Sequence, residues 1–238
     1  MLDLLLLRAW HIKKELRQIA KKMPDEAMVL DAGAGFGQYT YYLSKLGKKW
    51  KVTAIDLKAE QVADCNLFFD KIGKSQRVKF ETADLTTFCY PNKYDLAIAI
   101  DVLEHISDDA AVFKNMYKSL KSGGILLIST PSDDKKNRHD AFIDEHEREG
   151  YNPKELENKI LEAGFAKIFI QYTYGKPGRI SWLISMKMPM KMLELSKIFF
   201  IFLPIYYLIT FPFCIILNFW DLCATHEEGT GLKAIAEK

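Results

Sequence analysis

The chain has 238 residues, 49% of them hydrophobic, which suits one α/β domain with an insertion and ample material for a packed core. A formal net charge of +2 gives no reason to expect nucleic acid as a partner. The four cysteines, Cys65, Cys89, Cys214 and Cys223, form no CxxC pair, so neither a zinc site nor a disulfide framework is indicated and a reducing cytoplasm is the expected compartment.

Residues 1–22 read as a helix, because Leu2, Leu5, Leu6, Ala9, Ile12, Leu16 and Ile19 recur at three- and four-residue steps. Arg8, Lys13, Lys14, Arg17, Lys21 and Lys22 fill much of the other face, and Pro24 closes the element. Two readings stay open: a helix covering the sheet or a cleft, or a basic amphipathic helix on a membrane surface, carrying Trp10. The run Leu4 to Leu7 is too short for a signal-peptide core, so no secretory leader is expected.

Met28, Val29 and Leu30 form a short buried strand, followed by Asp31 and by glycines at 33, 35 and 37. Glycine tolerates positive φ and leaves no Cβ between main chain and ligand. A helix beginning near Gln38 places this turn at a strand's carboxyl end and a helix's amino end, where open α/β sheets hold their ligands. Gln38 stands where a dinucleotide fingerprint would need its last glycine. An acid two places before the first glycine suits a ligand bearing an amine or a cation and would repel a pyrophosphate.

The stretch Asp31-Ala-Gly-Ala-Gly-Phe-Gly37 resembles motif I of the class I S-adenosylmethionine (SAM) methyltransferases. The resemblance implies that Asp31, Gly33, Gly35 and Gly37 hold the amino-acid end of SAM. Residues 51–56 are the second strand, ending in Asp56, which in the family accepts the ribose hydroxyls; Leu57 would lie beside the adenine. The competing structural role is an Asp that caps the next helix, 58–72. Residues 78–84 are the third strand, and Ala83, Asp84 and Leu85 fit the family's adenine-reading step, against a plain turn-forming Asp. Residues 94–101 are a mostly apolar fourth strand ending in Asp101, which the resemblance implies is a further SAM-binding residue. Val-Leu-Glu-His-Ile, 102–106, resembles the motif IV region of the small-molecule branch, where the strand's end faces the transferred methyl. His105 is a candidate general base; the alternative is that Asp101, Glu104 and His105 only cap and orient the loop.

A helix over 107–121 with Ser107 as N-cap, then a fifth strand over 124–130, continue the pattern. Leu-Lys-Ser-Gly-Gly before that strand is a further family trait. The polar stretch 132–152 lies over the substrate pocket in the family; His139, His146, Arg148 and Tyr151 are candidate contacts there. His146 is the preferred one and a second candidate base, because His-x-Arg followed by an aromatic and Pro resembles the type 11 branch. A helix opened by Pro153 and ending near 163, a sixth strand over 166–173 and a seventh over 231–237 complete the core.

The chain departs from the family between the sixth and seventh strands. Ile198 to Trp220 is a run of 23 residues without a charge and with nine aromatics. That length permits one span, but a single crossing would put the last strand on the far side, and Pro204 and Pro212 are expected to break the run. The open readings are a hairpin dipping into one leaflet, interfacial pieces with Lys187, Lys191 and Lys197 toward head groups, or an apolar cap over the active site.

The expected fold is therefore α/β: a doubly wound seven-stranded sheet of the Rossmann-like SAM methyltransferase type, strand order 3-2-1-4-5-7-6. The expected divisions are an amphipathic helix (1–25), the SAM-binding core (26–174), a hydrophobic helical insertion (175–230) and the core's final strand (231–238). The resemblance implies methyl transfer from SAM to a small-molecule or lipid-like acceptor, with peripheral or monotopic membrane contact through 198–220 at the cytoplasmic face, and no metal. An NAD(P)-dependent oxidoreductase and a catalytically inactive SAM-binding, membrane-associated protein are the rival readings.

Overall fold

The computed structural model describes residues 7–133 and 147–238. Seven strands form one sheet: β1 (Met28–Ala32), β2 (Lys51–Asp56), β3 (Val78–Thr82), β4 (Tyr94–Ile100), β5 (Leu120–Pro131), β6 (Ala166–Thr173) and β7 (Gly231–Glu237). Their order is β3-β2-β1-β4-β5-β7-β6, the order expected from the sequence. Strands β1 to β5 run parallel, with Leu30 opposite Thr53 on one side and Ala97 on the other. Gly123 and Gly124, early in β5, exchange backbone hydrogen bonds with Lys238, just past the end of β7, so β7 runs against β5. Central β4 is buried along Leu96–Ile100, the continuous apolar run that a strand covered on both faces requires.

The first helix, α1, spans Leu7–Ala20. Helices α2 (Gln38–Leu46), α3 (Ala59–Lys71), α4 (Asp109–Ser119) and α5 (Pro153–Glu162) join the strands. Several ends differ from the sequence reading. β3 stops at Thr82, because Asp84 turns the chain. Asp108 rather than Ser107 caps α4, accepting the Ala111 N–H at 3.1 Å. β5 begins at Leu120, so Leu-Lys-Ser-Gly-Gly lies inside the strand and its irregular start.

The described residues fall into two compact units. One is Arg17–Ile170 with Leu232–Lys238; the other is the chain up to Leu16 together with Gln171–Gly231. The second unit is an antiparallel helical hairpin. Its first leg is α6 (Lys176–Trp182), a π-helical segment (Leu183–Lys187) and α7 (Met188–Leu195). A 3-10 turn (Lys197–Ile201) leads into α8 (Leu203–Cys223), the second leg. Contacts step down the two legs: Gly178 N–H to Asp221 at 3.0 Å, Ser181 hydroxyl to the Cys214 carbonyl at 3.3 Å, Tyr207 hydroxyl to the Ser185 carbonyl at 2.9 Å. The hairpin closes at its base, where Thr230 N–H meets the Tyr174 carbonyl at 3.3 Å.

Two expectations are corrected here. Pro204 and Pro212 do not break the apolar run: α8 is one helix of 21 residues. Pro204 sits in the first turn, where no N–H is needed, and Pro212 is tolerated on the exposed side. The membrane-surface reading of α1 also fails, because Leu7, Ala9, Ile12 and Leu16 are buried. Within this unit His11 bonds Asp221 at 2.9 Å, and Lys14 reaches the Leu222 carbonyl at 2.8 Å.

Candidate functional site

The carboxyl ends of β3, β2, β1 and β4 lie side by side, so the sheet order itself gathers Asp84, Asp56, the glycine turn and Asp101 along one edge. All three turn glycines are left-handed, with φ of +75° at Gly33, +51° at Gly35 and +73° at Gly37. Their roles divide. A Cβ on Gly33 would collide with Val102, and one on Gly37 would come 2.8 Å from Phe80. Those two glycines let the β1 turn press on the β4 loop and on β3. A Cβ on Gly35 would meet nothing within 4 Å. Only Gly35 therefore presents bare main chain to open space, and it is the place where a ligand can approach the backbone.

The turn is fixed from several sides. Gly33 and Ala34 N–H groups both donate to the Ile55 carbonyl, at 2.8 and 2.9 Å. Gly35 N–H donates to Asp56 Oδ2 at 2.8 Å, while Asp56 Oδ1 accepts the Lys58 N–H at 3.0 Å. Asp56 thus clasps the turn and the start of α3 together, and its carboxylate retains lone pairs for further donors. Leu57 beside it is 70% exposed, and Phe36 on the turn is 87% exposed.

Asp31 is buried and accepts the Thr40 hydroxyl at 2.5 Å. Burial raises its pKa from 3.8 to about 6, against the lowering effect of the Thr40 hydrogen bond and with a further upward push from Asp56. A cation brought beside this carboxylate would relieve that penalty.

Ala83 N–H bonds the Asp56 carbonyl at 3.2 Å. Asp84 is exposed, and its Oδ1 accepts both the N–H and the hydroxyl of Thr86 at 2.8 Å, which hold its pKa down. The turn-forming role is thus present; the second carboxylate oxygen is the one the adenine reading would use. The Leu85 side chain is buried and its carbonyl accepts from Asn115 at 3.2 Å, so only its backbone N–H is available for such a role.

Asp101 takes a left-handed φ of +51°, its N–H held by the Ser129 carbonyl at 2.8 Å. Such a backbone in a non-glycine residue marks a position that the surrounding structure enforces. His105 ends a 3-10 turn, Leu103–His105, and is exposed. Glu104 is buried, accepts the Thr130 hydroxyl at 3.2 Å, and through its carbonyl receives the Glu147 and Arg148 N–H groups. Glu104 orients the loop, and His105 is left facing outward. His139 and His146 lie outside the described residues.

Arg148 and Tyr151, expected as substrate contacts, serve the framework instead. Tyr151 is fully buried and donates to Asp109 at 2.6 Å, with the Leu103 carbonyl at 3.2 Å. Asp109 also receives Lys159 at 2.8 Å and Arg148 at 3.3 Å, and the Arg148 guanidinium stacks over the Tyr151 ring. This cluster pins the loop that carries His105. The sequence reading also missed Thr40, whose only signal was a polar residue on the first turn of α2, and Cys65, whose thiol lies 3.7 Å from the Gly35 carbonyl. Among the described residues no group of three His, Cys, Asp or Glu could hold a metal ion.

A doubly wound seven-stranded sheet with a glycine turn and acids closing its first two strands defines the Rossmann-like SAM methyltransferase fold. Residues 24–169 match the model of a methyltransferase domain family, and the chain belongs to that family. It is similar to phosphoethanolamine N-methyltransferase 1 of Arabidopsis thaliana, 31% identical over 147 residues, covering 60% of this chain and 29% of that protein. A ubiquinone biosynthesis O-methyltransferase of Xanthomonas euvesicatoria is 32% identical over 104 residues, 44% of this chain and 43% of that one. The chain thus spans less than a third of its plant relative. Among solved structures it resembles Haemonchus contortus phosphoethanolamine N-methyltransferase 2 in complex with SAM, at 19% identity and a TM-score of 0.65, covering 96% of this chain and 52% of that one.

Proposed function

We propose that the chain is a SAM-dependent methyltransferase for a small-molecule or lipid-like acceptor, working at a membrane surface. The observation that carries the first half is Gly35: its missing Cβ opens onto unfilled space, on a turn that follows the buried acid Asp31 and is clasped by Asp56. Those features fit SAM. Asp31 and the Gly33–Gly37 turn would hold its amino-acid end, Asp56 the ribose, Leu57 an adenine face, and Ala83, Asp84 and the Leu85 backbone the adenine edge. Bound SAM supplies a methyl group on a sulfonium, ready for in-line displacement without metal assistance. The residues at the end of β4, Asp101 and the loop to His105, would align the acceptor, and alignment with water exclusion accounts for most of the acceleration in such transfers.

His105 is the described candidate for removing a proton from a hydroxyl or carbon acid; an amine that arrives neutral needs no base. The phosphoethanolamine and ubiquinone-pathway relatives lend support to a small acceptor, and the exposed apolar surface of α8 supports the membrane half. The test is calorimetry with SAM, S-adenosylhomocysteine and NAD(H), followed by labelled SAM with a total lipid extract and with phosphoethanolamine. SAM binding with label in a product supports the reading. Tight NAD(H) binding without SAM binding would replace it with the oxidoreductase, and SAM binding without product under any extract would leave a non-catalytic binder.

A further inference from the structure

Helix α8 is built with its polarity inverted. Its inward side carries the polar groups. Asp221 and Asn218 are fully buried, and Asp221 is met by His11 at 2.9 Å, by His226 at 3.4 Å and by the Gly178 N–H. Burial would raise the Asp221 pKa, but the His11 hydrogen bond and the His226 charge outweigh it and hold it low. Tyr206 and Tyr207 turn their hydroxyls onto the Ile184 and Ser185 carbonyls of the π-helical segment, at 2.6 and 2.9 Å, and Thr210 bonds the Tyr206 carbonyl. The outward side is wholly apolar from end to end: Leu208, Ile209, Phe213, Ile216, Phe219 and Trp220 are each 60% or more exposed. A helix facing water would do the reverse. Polar groups turned inward, with Asp221, Tyr206, Tyr207 and Thr210 hydrogen-bonded there, and a bare apolar exterior are what a hydrocarbon solvent selects.

We infer that the hairpin lies flat in one leaflet of a bilayer containing anionic lipids, with the outer face of α8 submerged along its whole length. The inference rests on the membrane half of the reading above and fixes its geometry. Three observations favour lying over spanning. The apolar stripe runs the full helix, about 31 Å at 1.5 Å per residue, rather than forming a band around it. Both hairpin ends carry charge: Lys176 and Arg179 at the base, and Lys187, Lys191, Glu194 and Lys197 around the tip, which a tip-first insertion would draw through hydrocarbon. The base is closed by the Tyr174 and Thr230 backbones, so both ends leave on one side. From 176 to 202 there are five basic residues and one acid, a complement to anionic head groups.

The experiment uses the full chain with vesicles of phosphatidylcholine alone or with added phosphatidylglycerol. Sedimentation should show binding that favours the anionic vesicles. Lys191→Gln with Lys197→Gln should weaken it by about thirtyfold, and Leu208→Glu with Phe213→Glu should abolish it, with SAM affinity and melting temperature near those of the parent. Environment-sensitive labels on Ile205→Cys, Phe213→Cys and Phe219→Cys, in a Cys89→Ser, Cys223→Ser background, should report one shallow depth along the helix. A steady change in depth from 219 to 205 would overturn the flat geometry while leaving membrane contact standing. Equal binding to neutral vesicles would overturn the anionic preference. No vesicle binding, with a dimer that Leu208→Glu dissociates, would assign the face to a second copy and overturn membrane contact itself, and SAM binding in the same sample would show the cofactor reading untouched.

Discussion

Asp31 is a carboxylate whose charge its own burial disfavours and which, in the proposed reading, the cation of SAM would favour. Its folded pKa of about 6 lies above its ordinary value of 3.8, so the folded state holds a proton that the unfolded state releases first. Stability is therefore full below pH 3.8 and is lost as pH rises through 6, by about 3 kcal/mol in all. Asp31→Asn should accordingly raise the melting temperature of the ligand-free protein at pH 7 while removing SAM affinity, and calorimetry on the parent should show affinity weakening as pH falls below 6. The turn glycines give a second contrast. Gly35→Val should cost roughly 1–2 kcal/mol of stability, the penalty of a left-handed φ, yet abolish SAM binding. Gly33→Val adds a collision with Val102 and should be the more destabilising in a thermal melt. The acid and the glycine spacing were legible in the sequence. Which glycine opens onto free space was not, because Val102 and Phe80, the neighbours that fill the other two positions, come from beyond β4 and from β3.

Among the elements, the sheet was the most legible part, since short apolar strands between helices repeat the period of a doubly wound fold. Element ends moved where side chains intervened, as at Asp84 and Asp108. The Asp109–Tyr151–Lys159 cluster was hidden because its members stand 42 and 50 residues apart in the chain, and a tyrosine in a polar stretch reads as a surface residue until its burial is seen. Tyr151→Phe removes the donor to Asp109 and should cost about 1–3 kcal/mol, read as a lower melting temperature. If the cluster positions the loop bearing His105, the same variant should lower kcat more than it weakens SAM binding. Helix α8 was misread for a related reason. Proline content argued for a break, whereas the structure places one proline in the first turn and the other on the exposed face, so the run stays one helix from Leu203 onward.

For the molecule, the inferred seating of the helical unit in a leaflet would set the way substrate is met. An enzyme held in the plane of a membrane encounters an amphiphilic acceptor according to the acceptor's mole fraction among the lipids, and bulk concentration ceases to be the governing variable. Turnover of a lipid-like acceptor should then fall when inert phosphatidylcholine is added at constant total acceptor, and recover when the acceptor fraction is restored. A water-soluble acceptor assayed under the same dilution should be consumed at an unaltered rate.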